Sequence, residues 1–197
     1  MPACWVSKLL LMTDSRGRVV AAAMGCFAAK GYSATTIADI EEAAGLKPGA
    51  GGTYRHFSSK REILDAVIDA ALAQSDEVLA PAPSSLEGAA RDALAQLDRQ
   101  RDLMGLMLRD LDQFPELQRK VIRRLVTGPI RLVAARTAAV APHVDAEATA
   151  FLLFGALVNV KVIEILGGRA QIGVSRKRLV AAWAHLYRSM LTADGED

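Results

Sequence analysis

The sequence has few of the residues on which covalent or metal-based chemistry depends. Its 197 residues include two cysteines, Cys4 and Cys26, and three histidines. Two cysteines at this spacing provide neither a disulfide framework nor a zinc site. There is also no HExxH, no GxSxG, no phosphate-binding loop and no paired acid–base constellation. We therefore expect no catalytic residue, no metal site and no cofactor.

Aromatic residues and net charge are also scarce. Phe, Trp and Tyr make up 5% of the chain, whereas 51% of the residues are hydrophobic, and alanine and leucine dominate. This composition favours helix over sheet and a folded core over disorder. The net charge of +2 gives no general attraction for nucleic acid. The chain is predicted to be all-α, with about nine helices.

The first residues are predicted to lie outside the folded domains. Residues 4–12 are mostly apolar, with Lys8 among them. This run is too short to span a bilayer and lacks the flanks of a signal peptide, so we expect no membrane partner and a cytoplasmic location. Our hypothesis is that Met12 is the native start, or that residues 1–14 form a loosely ordered arm. N-terminal sequencing of the protein from its host would distinguish the two.

The first helix is predicted from Ser15 to Lys30. Asp14 or Ser15 is its N-cap, and Gly31 is placed to end it. Its apolar residues recur at helical spacing on one face. They are Val19, Val20, Ala22, Ala23, Cys26 and Phe27. Cys26 is therefore predicted to be a small buried residue rather than a thiol sensor.

Residues 35–60 have the pattern of a helix–turn–helix. Thr35 and Thr36 are potential caps of a short helix, and Gly45 supplies the left-handed residue that stops it. Pro48 fits the first turn of a second helix, because a missing N–H costs nothing there. A motif of this kind lays its second helix in the DNA major groove.

Four segments of the sequence, in this order and spacing, resemble the N-terminal domain of the TetR family of transcriptional regulators. The matching residues are Arg18, Ala22, Ala23, Cys26, Phe27, Gly31 and Tyr32; Thr35, Thr36, Ile37 and Ile40; Ala44, Gly45 and Leu46; and Tyr54, His56, Phe57 and Lys60. The resemblance implies an all-helical homodimer with a DNA-binding domain over residues 15–62. A connecting helix and linker over 63–83 and a ligand-binding and dimerisation domain over 84–197 would follow. The implied partners are a double-stranded DNA operator, a second copy bound through the last two helices, and a small apolar effector.

The predicted DNA-binding residues surround the second helix of the motif. Lys47 is long enough to reach guanine, and Thr53 to touch a thymine methyl group or a base edge. Tyr54, His56 and Lys60 match family positions that hold the phosphate backbone, which sets register rather than sequence. For Tyr54, packing under the motif is an equal alternative. The full set is Thr35, Thr36, Lys47, Pro48, Gly49, Gly51, Gly52, Thr53, Tyr54, His56 and Lys60.

Two features depart from the family pattern. The segment from Gly45 to Tyr54 is two residues longer than is usual in the family, and Glu41 stands where the family usually has a small alanine. Our hypothesis is that the longer segment makes room for Glu41 and that the recognition helix begins differently. A standard short helix over residues 47–55 with Glu41 buried would count against it.

The remaining sequence predicts further helices separated by proline and glycine. A capping box at Ser59 opens a helix to near Leu79, and the prolines in residues 80–85 mark a boundary. The later helices are predicted at about 84–101, 103–108, 116–140, 145–166 and 175–190. Residues 145–166 are apolar on nearly every side, which predicts a helix buried on all sides.

An effector pocket is predicted from methionine and phenylalanine residues of the second half. These residue types line adaptable apolar cavities, although ordinary core packing is the alternative for each of them. The candidates are Met104, Met107, Leu108, Phe114, Phe151 and Phe154. The function that the resemblance implies is that of a ligand-responsive repressor. The alternative is a helical interaction module whose helix–turn–helix does not bind DNA.

Overall fold

A computed structural model of the chain describes residues 14–76, 85–168 and 172–192. These residues are all-helical, as predicted, and contain no strand. The α-helices are α1 (Ser15–Lys30), α2 (Ile37–Ala43), α3 (Lys60–Asp76), α4 (Leu86–Arg99), α5 (Arg101–Arg109), α6 (Pro115–Ile122), α7 (Gly128–Val140), α8 (Ala146–Leu166) and α9 (Arg176–Thr192). The predicted arm and the proline-containing linker lie outside the described residues.

The chain divides into two compact units. The described residues 14–76 and 99–121 belong to the first unit, and the described residues 85–98, 122–168 and 172–192 belong to the second. Helices α5 and α6 therefore group with the helix–turn–helix, although the sequence assigns them to the C-terminal domain.

Polar side chains begin most helices as the sequence predicts. Asp14 accepts the N–H of Arg16 at 3.0 Å, and Asp145 accepts that of Ala148 at 3.0 Å. The Ser59 hydroxyl accepts the N–H of Glu62 at 3.1 Å. Each of these bonds satisfies a donor that the helix itself leaves without a partner.

The core of the first unit forms where α1 packs on α3. Phe27, Phe57 and Ile63 are almost completely buried there. Tyr32 extends this core, because its ring lies 5.4 Å from that of Phe27 and 5.0 Å from that of Phe114.

Cys26 is only half-buried, so the prediction of a buried residue was wrong. Its Sγ atom lies 3.8 Å from the carbonyl oxygen of Asp39. Partial burial raises the pKa of the Cys26 thiol, which disfavours the reactive thiolate.

Helix α6 is held to α3 by ionic contacts within the first unit. Arg61 pairs with Glu116, and Lys120 pairs with Asp69. The guanidinium group of Arg61 also lies 4.6 Å from the centre of the Phe114 ring. The helix that follows the helix–turn–helix is therefore held by side chains of α6, which lie more than fifty positions further along the chain.

A π-helical turn over Arg123–Thr127 joins α6 to α7. Gly128 and Pro129 therefore lie within the segment of 116–140 that the sequence predicts as helical. A wider turn tolerates proline because neighbouring backbone groups can find other partners. A Cβ atom at Gly128 would lie 3.3 Å from the carbonyl oxygen of Arg123, so this position favours glycine.

Helix α8 is not buried on all sides, contrary to the sequence prediction. Phe151 and Leu152 are more than 60% exposed, and Leu166 is 74% exposed. The sequence could not reveal this face, because both its exposed and its buried positions are apolar. Helix α8 is long and apolar enough to cross a membrane, although Lys161 and Glu164 on its inner side are buried within the second unit.

An ionic cluster joins three helices of the second unit. Lys161 of α8 is 1% exposed and pairs with Asp98 at the end of α4 and with Glu164. Arg176 of α9 donates to Asp98 at 2.6 Å. Burial raises the pKa of Asp98, but the hydrogen bonds from Lys161 and Arg176 outweigh this effect, and the net shift is downward.

Candidate nucleic-acid interface

The first helix of the motif, α2, begins with a complete capping box. The Thr36 hydroxyl accepts the N–H of Asp39 at 3.1 Å, and the Asp39 carboxylate accepts the N–H of Thr36 at 2.8 Å. Lys30 donates to Asp39 at 2.6 Å. The bonds from Lys30 and Thr36 hold the pKa of Asp39 well below its usual range. Helix α2 is therefore fixed to the end of α1.

The turn after α2 forms as the sequence predicts. Gly45 has a φ of +68°, and the N–H of Leu46 donates to the carbonyl oxygen of Glu41 at 2.8 Å. This geometry is a left-handed helix end, which glycine adopts without steric cost.

The second helix predicted from Pro48 is absent, so that prediction was wrong. Residues 47–52, which we call the reading loop, form turns and a bend, and a single 3₁₀ turn over Thr53–Arg55 follows. The reason is conformational, since Gly49 has a φ of +75° and Gly51 a φ of +73°. Left-handed residues at alternate positions are incompatible with a right-handed helix.

Glu41 braces the reading loop from within the protein. The residue is 2% exposed, and its two carboxylate oxygens accept the N–H of Gly49 at 2.8 Å and the N–H of Thr53 at 3.3 Å. The bond from Gly49 makes the largest contribution to a lowered pKa of Glu41, and burial opposes it. This geometry agrees with the hypothesis that the longer segment makes room for Glu41.

The exposed side of the motif carries the long side chains of Lys47, Tyr54 and Arg55. Lys47, Pro48 and Gly49 are exposed, and Tyr54 is 60% exposed while Phe57 is buried. The sequence left two alternatives for Tyr54, phosphate contact or packing under the motif. Its exposed ring does not pack under the motif. Arg55 is also exposed, and the sequence analysis missed it. Its position between two predicted phosphate ligands could have revealed it.

Two predicted DNA-binding residues are inaccessible. Thr53 is completely buried and Thr35 is 1% exposed. The Thr35 hydroxyl donates to the carbonyl oxygen of Gly31 at 2.7 Å, which ties the loop before α2 to α1. The predicted contact of Thr53 with a base is therefore wrong for this conformation. Gly51 and Gly52 are half-buried, and a Cβ atom at Gly52 would lie 3.4 Å from Leu46.

His56 connects the end of the motif to the start of α1. Its Nε2 atom lies 2.5 Å from the hydroxyl oxygen of Ser15. The guanidinium group of Arg16 lies 5.1 Å from the centre of the Phe57 ring. The exposed Arg16 thus adds a positive charge at this end of the motif.

Lys60 supports the loop that precedes α2. Its ammonium group donates to the carbonyl oxygens of Tyr32 at 2.9 Å and Thr35 at 2.8 Å. It also lies 4.4 Å from the centre of the Tyr32 ring. These contacts give Lys60 a role in the free protein, and its contact with DNA phosphate stays a prediction.

The six predicted effector residues are divided between the two units. Met104, Met107, Leu108 and Phe114 lie in the first unit, and Phe151 and Phe154 lie in the second. Phe151 lines an open groove of about 690 Å³ between α7 and α8. The other lining residues are Thr127, Ile130, Arg131, Ala134, Ala135, Ala138, Ala146, Glu147 and Ala148. No cluster of metal-ligating side chains occurs within the described ranges.

Comparisons with known proteins agree with this architecture. Residues 19–67 match the model of the family described as bacterial regulatory proteins, tetR family. The chain is 38% identical over 72 residues to the HTH-type transcriptional regulator TtgR of Pseudomonas putida, covering 36% of this chain and 33% of TtgR. It is 40% identical over 57 residues to the HTH-type transcriptional repressor KstR2 of Mycobacterium tuberculosis, covering 29% of this chain and 28% of KstR2. These matches span about a third of the length of the curated relatives.

A solved structure resembles nearly the whole fold. It is a transcriptional regulator from a Rhodococcus species, with a TM-score of 0.66 and 21% identity, and the match covers 90% of this chain and 96% of that one. Residues 19–67 therefore match the N-terminal domain of the tetR family of bacterial regulatory proteins, and the all-helical fold of the described residues resembles that of the solved regulator.

Proposed function

We propose that this protein is a DNA-binding transcriptional regulator that acts as a ligand-responsive repressor in the cytoplasm. The exposed face of the helix–turn–helix carries the proposal. Lys47, Tyr54 and Arg55 project there from a backbone that buried contacts hold in place. Positive and hydroxyl-bearing side chains on a rigid frame suit phosphate and base contacts. The names of the relatives TtgR and KstR2 describe regulators rather than enzymes.

The operator is proposed to be palindromic and to be bound by a homodimer. Helices α8 and α9 supply the dimer surface, since large apolar side chains are exposed on both of them. Phe151 and Leu152 of α8 and Leu186 of α9 are each more than half exposed, which is typical of a face covered by a partner. A two-fold dimer would present its reading loops to major grooves about 34–36 Å apart.

The effector is proposed to be a small apolar molecule that binds the C-terminal half. Methionine and phenylalanine residues at the predicted positions suit such a ligand. It releases DNA only to the extent that it binds the DNA-free conformation more tightly than the DNA-bound one. A thermal-shift screen of small apolar compounds, followed by DNA-release assays, identifies the ligand class.

A gel-shift assay with the DNA upstream of the protein's own gene tests the central proposal. We expect saturable binding that weakens steeply with salt, since phosphate contacts release counterions. Tyr54→Ala should remove most of this binding and leave the dimer intact, because the Tyr54 side chain is 60% exposed. Glu42→Ala, which changes an exposed residue of α2, serves as the matched control.

A variant of Lys60 tests whether this residue both contacts DNA and stabilises the free protein. Lys60→Met should lower both DNA affinity and thermal stability, because it removes the bonds to Tyr32 and Thr35. No binding by the wild type would favour the alternative of an interaction module with a non-functional helix–turn–helix. Unchanged binding by both Tyr54→Ala and Lys60→Met would remove the proposed interface.

A further inference from the structure

We propose that Glu41 is a specificity-determining positioning residue, which sets the conformation of the reading loop so that Lys47 and Ala50 meet base edges. This inference rests on the proposed DNA-binding function. Lys47, Pro48, Gly49 and Ala50 are exposed, whereas Glu41 is 2% exposed. Glu41 therefore has no direct access to DNA and acts through the loop.

The Glu41 carboxylate holds the reading loop at two points. One oxygen accepts the N–H of Gly49 inside the loop, and the other accepts the N–H of Thr53 just after it. The two donors are four positions apart, so a single side chain fixes both the middle and the end of the loop. In an ordinary helix–turn–helix the backbone bonds of the second helix provide this order. Here the described loop has no helical turn, and the Glu41 carboxylate provides an equivalent constraint.

Backbone bonds and glycine conformations shape the rest of the loop. The N–H of Ala50 donates to the carbonyl oxygen of Lys47 at 3.2 Å, which closes a turn at the exposed tip. Gly49 and Gly51 supply the left-handed conformations that flank this tip. Backbone bonds within the loop thus shape the turn, and Glu41 connects the turn to α2.

The exposed tip of the loop carries one side-chain donor and one methyl group. Lys47 is the residue in the loop with a side-chain donor, and a lysine donates to the O6 and N7 atoms of guanine in the major groove. The methyl group of Ala50 suits the thymine methyl group. The preferred half-site should therefore contain a guanine close to a thymine. Holding Lys47 in one place lowers the entropy cost of this contact.

The experiment begins with selection of preferred sequences from random duplex DNA by the full-length protein. Affinities are then measured at one salt concentration for the selected site and for a shuffled site of equal composition. Glu41→Ala should reduce the ratio of these two affinities by about tenfold for each half-site, the size of one good base contact. Affinity for the shuffled site and its salt dependence should change by less than about twofold, since the phosphate-binding side chains remain.

Two controls separate positioning from general destabilisation. Glu42→Ala removes a neighbouring exposed carboxylate of α2 and should leave the ratio unchanged. Glu41→Gln keeps the shape of the side chain but places a donor opposite one of the two N–H groups, so it should lose part of the discrimination. If Glu41→Ala does not fold, Glu41→Gln supplies the same comparison.

A double-mutant cycle with Lys47 tests the mechanism directly. If Glu41 acts through Lys47, then Lys47→Ala lowers the affinity ratio by itself and Glu41→Ala adds little to it. Amide hydrogen exchange without DNA provides an independent measure, in which Glu41→Ala should speed exchange at Gly49 and Thr53.

The outcomes distinguish this inference from the proposed function. If the wild type shows no sequence preference, the proposed function and the role of Glu41 fall together. If the wild type discriminates and both Glu41 variants discriminate equally well, only the role of Glu41 is overturned. Additive effects of Glu41→Ala and Lys47→Ala would also overturn it, because they would show that the two residues act independently.

Discussion

Replacing Lys161 by methionine should strongly destabilise the second unit. Lys161 is 1% exposed and pairs with Glu164, whose side chain is 9% exposed, and with Asp98, whose side chain is 41% exposed. Methionine keeps most of the volume of the side chain but removes the positive charge that Lys161 places against the Glu164 carboxylate. Breaking a buried ion pair in this way costs about 3–5 kcal/mol. Asp98 contributes less to this cost, because it retains Arg176 and is partly solvated.

The size of the effect is measurable by thermal unfolding. One kcal/mol shifts the melting temperature of a chain of this length by about 2–4 °C, so Lys161→Met should lower it by about 6–20 °C. Protein concentration must be held constant, because the proposed dimerisation would also change apparent stability.

A double variant separates charge from packing in this cluster. Lys161→Met with Glu164→Leu removes both charges and should recover most of the lost stability, since well-packed apolar residues often replace a buried pair without cost. Asp98→Asn should have a smaller effect than Lys161→Met, because water already reaches Asp98. Two results would contradict a stabilising role of the buried ion pair. One is a Lys161→Met variant that melts within about 2 °C of the wild type, and the other is a double variant that is less stable than Lys161→Met alone.

Two further predictions concern the first unit. Asp39→Asn should destabilise the protein at pH 7, because the wild-type carboxylate gains bonds from Lys30 and Thr36 that lower its folded-state pKa. The difference should be full above the unfolded pKa of about 3.9 and should shrink as pH falls below it, so melting curves that stay equally separated down to pH 3 would contradict this. Phe114→Ala should cost about 1–3 kcal/mol in urea unfolding, since the half-buried ring loses its contacts with Tyr32 and Arg61. Tyr32→Phe keeps the ring and should cost less. An equal loss of stability in both variants would show that the ring contacts of Phe114 are not its source.

The parts of the fold that sequence predicts well depend on neighbouring residues. The capping box of Thr36 and Asp39 involves positions three apart, and the left-handed Gly45 ends α2 by its own conformational freedom. Asp145 at the start of α8 is a similar case. Short-range rules of helix initiation and termination suffice for these features.

The features that sequence missed depend on distant partners. The reading loop was predicted as helical because Pro48 suits a first turn, but its shape involves Glu41, whose partners lie 8 and 12 positions away. Lys161 in α8 meets Asp98 across 63 positions, so its burial could not be inferred from its own segment. Thr53 was predicted to contact DNA because its segment was expected to form a recognition helix. In the loop and 3₁₀ turn that form instead, Thr53 is buried.

The left-handed glycines Gly49 and Gly51 restrict which substitutions the reading loop can accept. They therefore limit how the proposed recognition of DNA can change in evolution. No atom lies within 4 Å of a Cβ built at Gly49 or Gly51, so space is not the constraint at either position. The constraint is the positive φ, which costs about 1–2 kcal/mol for a residue other than glycine. New specificities should therefore arise by exchange at Lys47, Pro48 and Ala50, while Gly49 and Gly51 persist. Selection from a library randomised at those three positions would test this expectation.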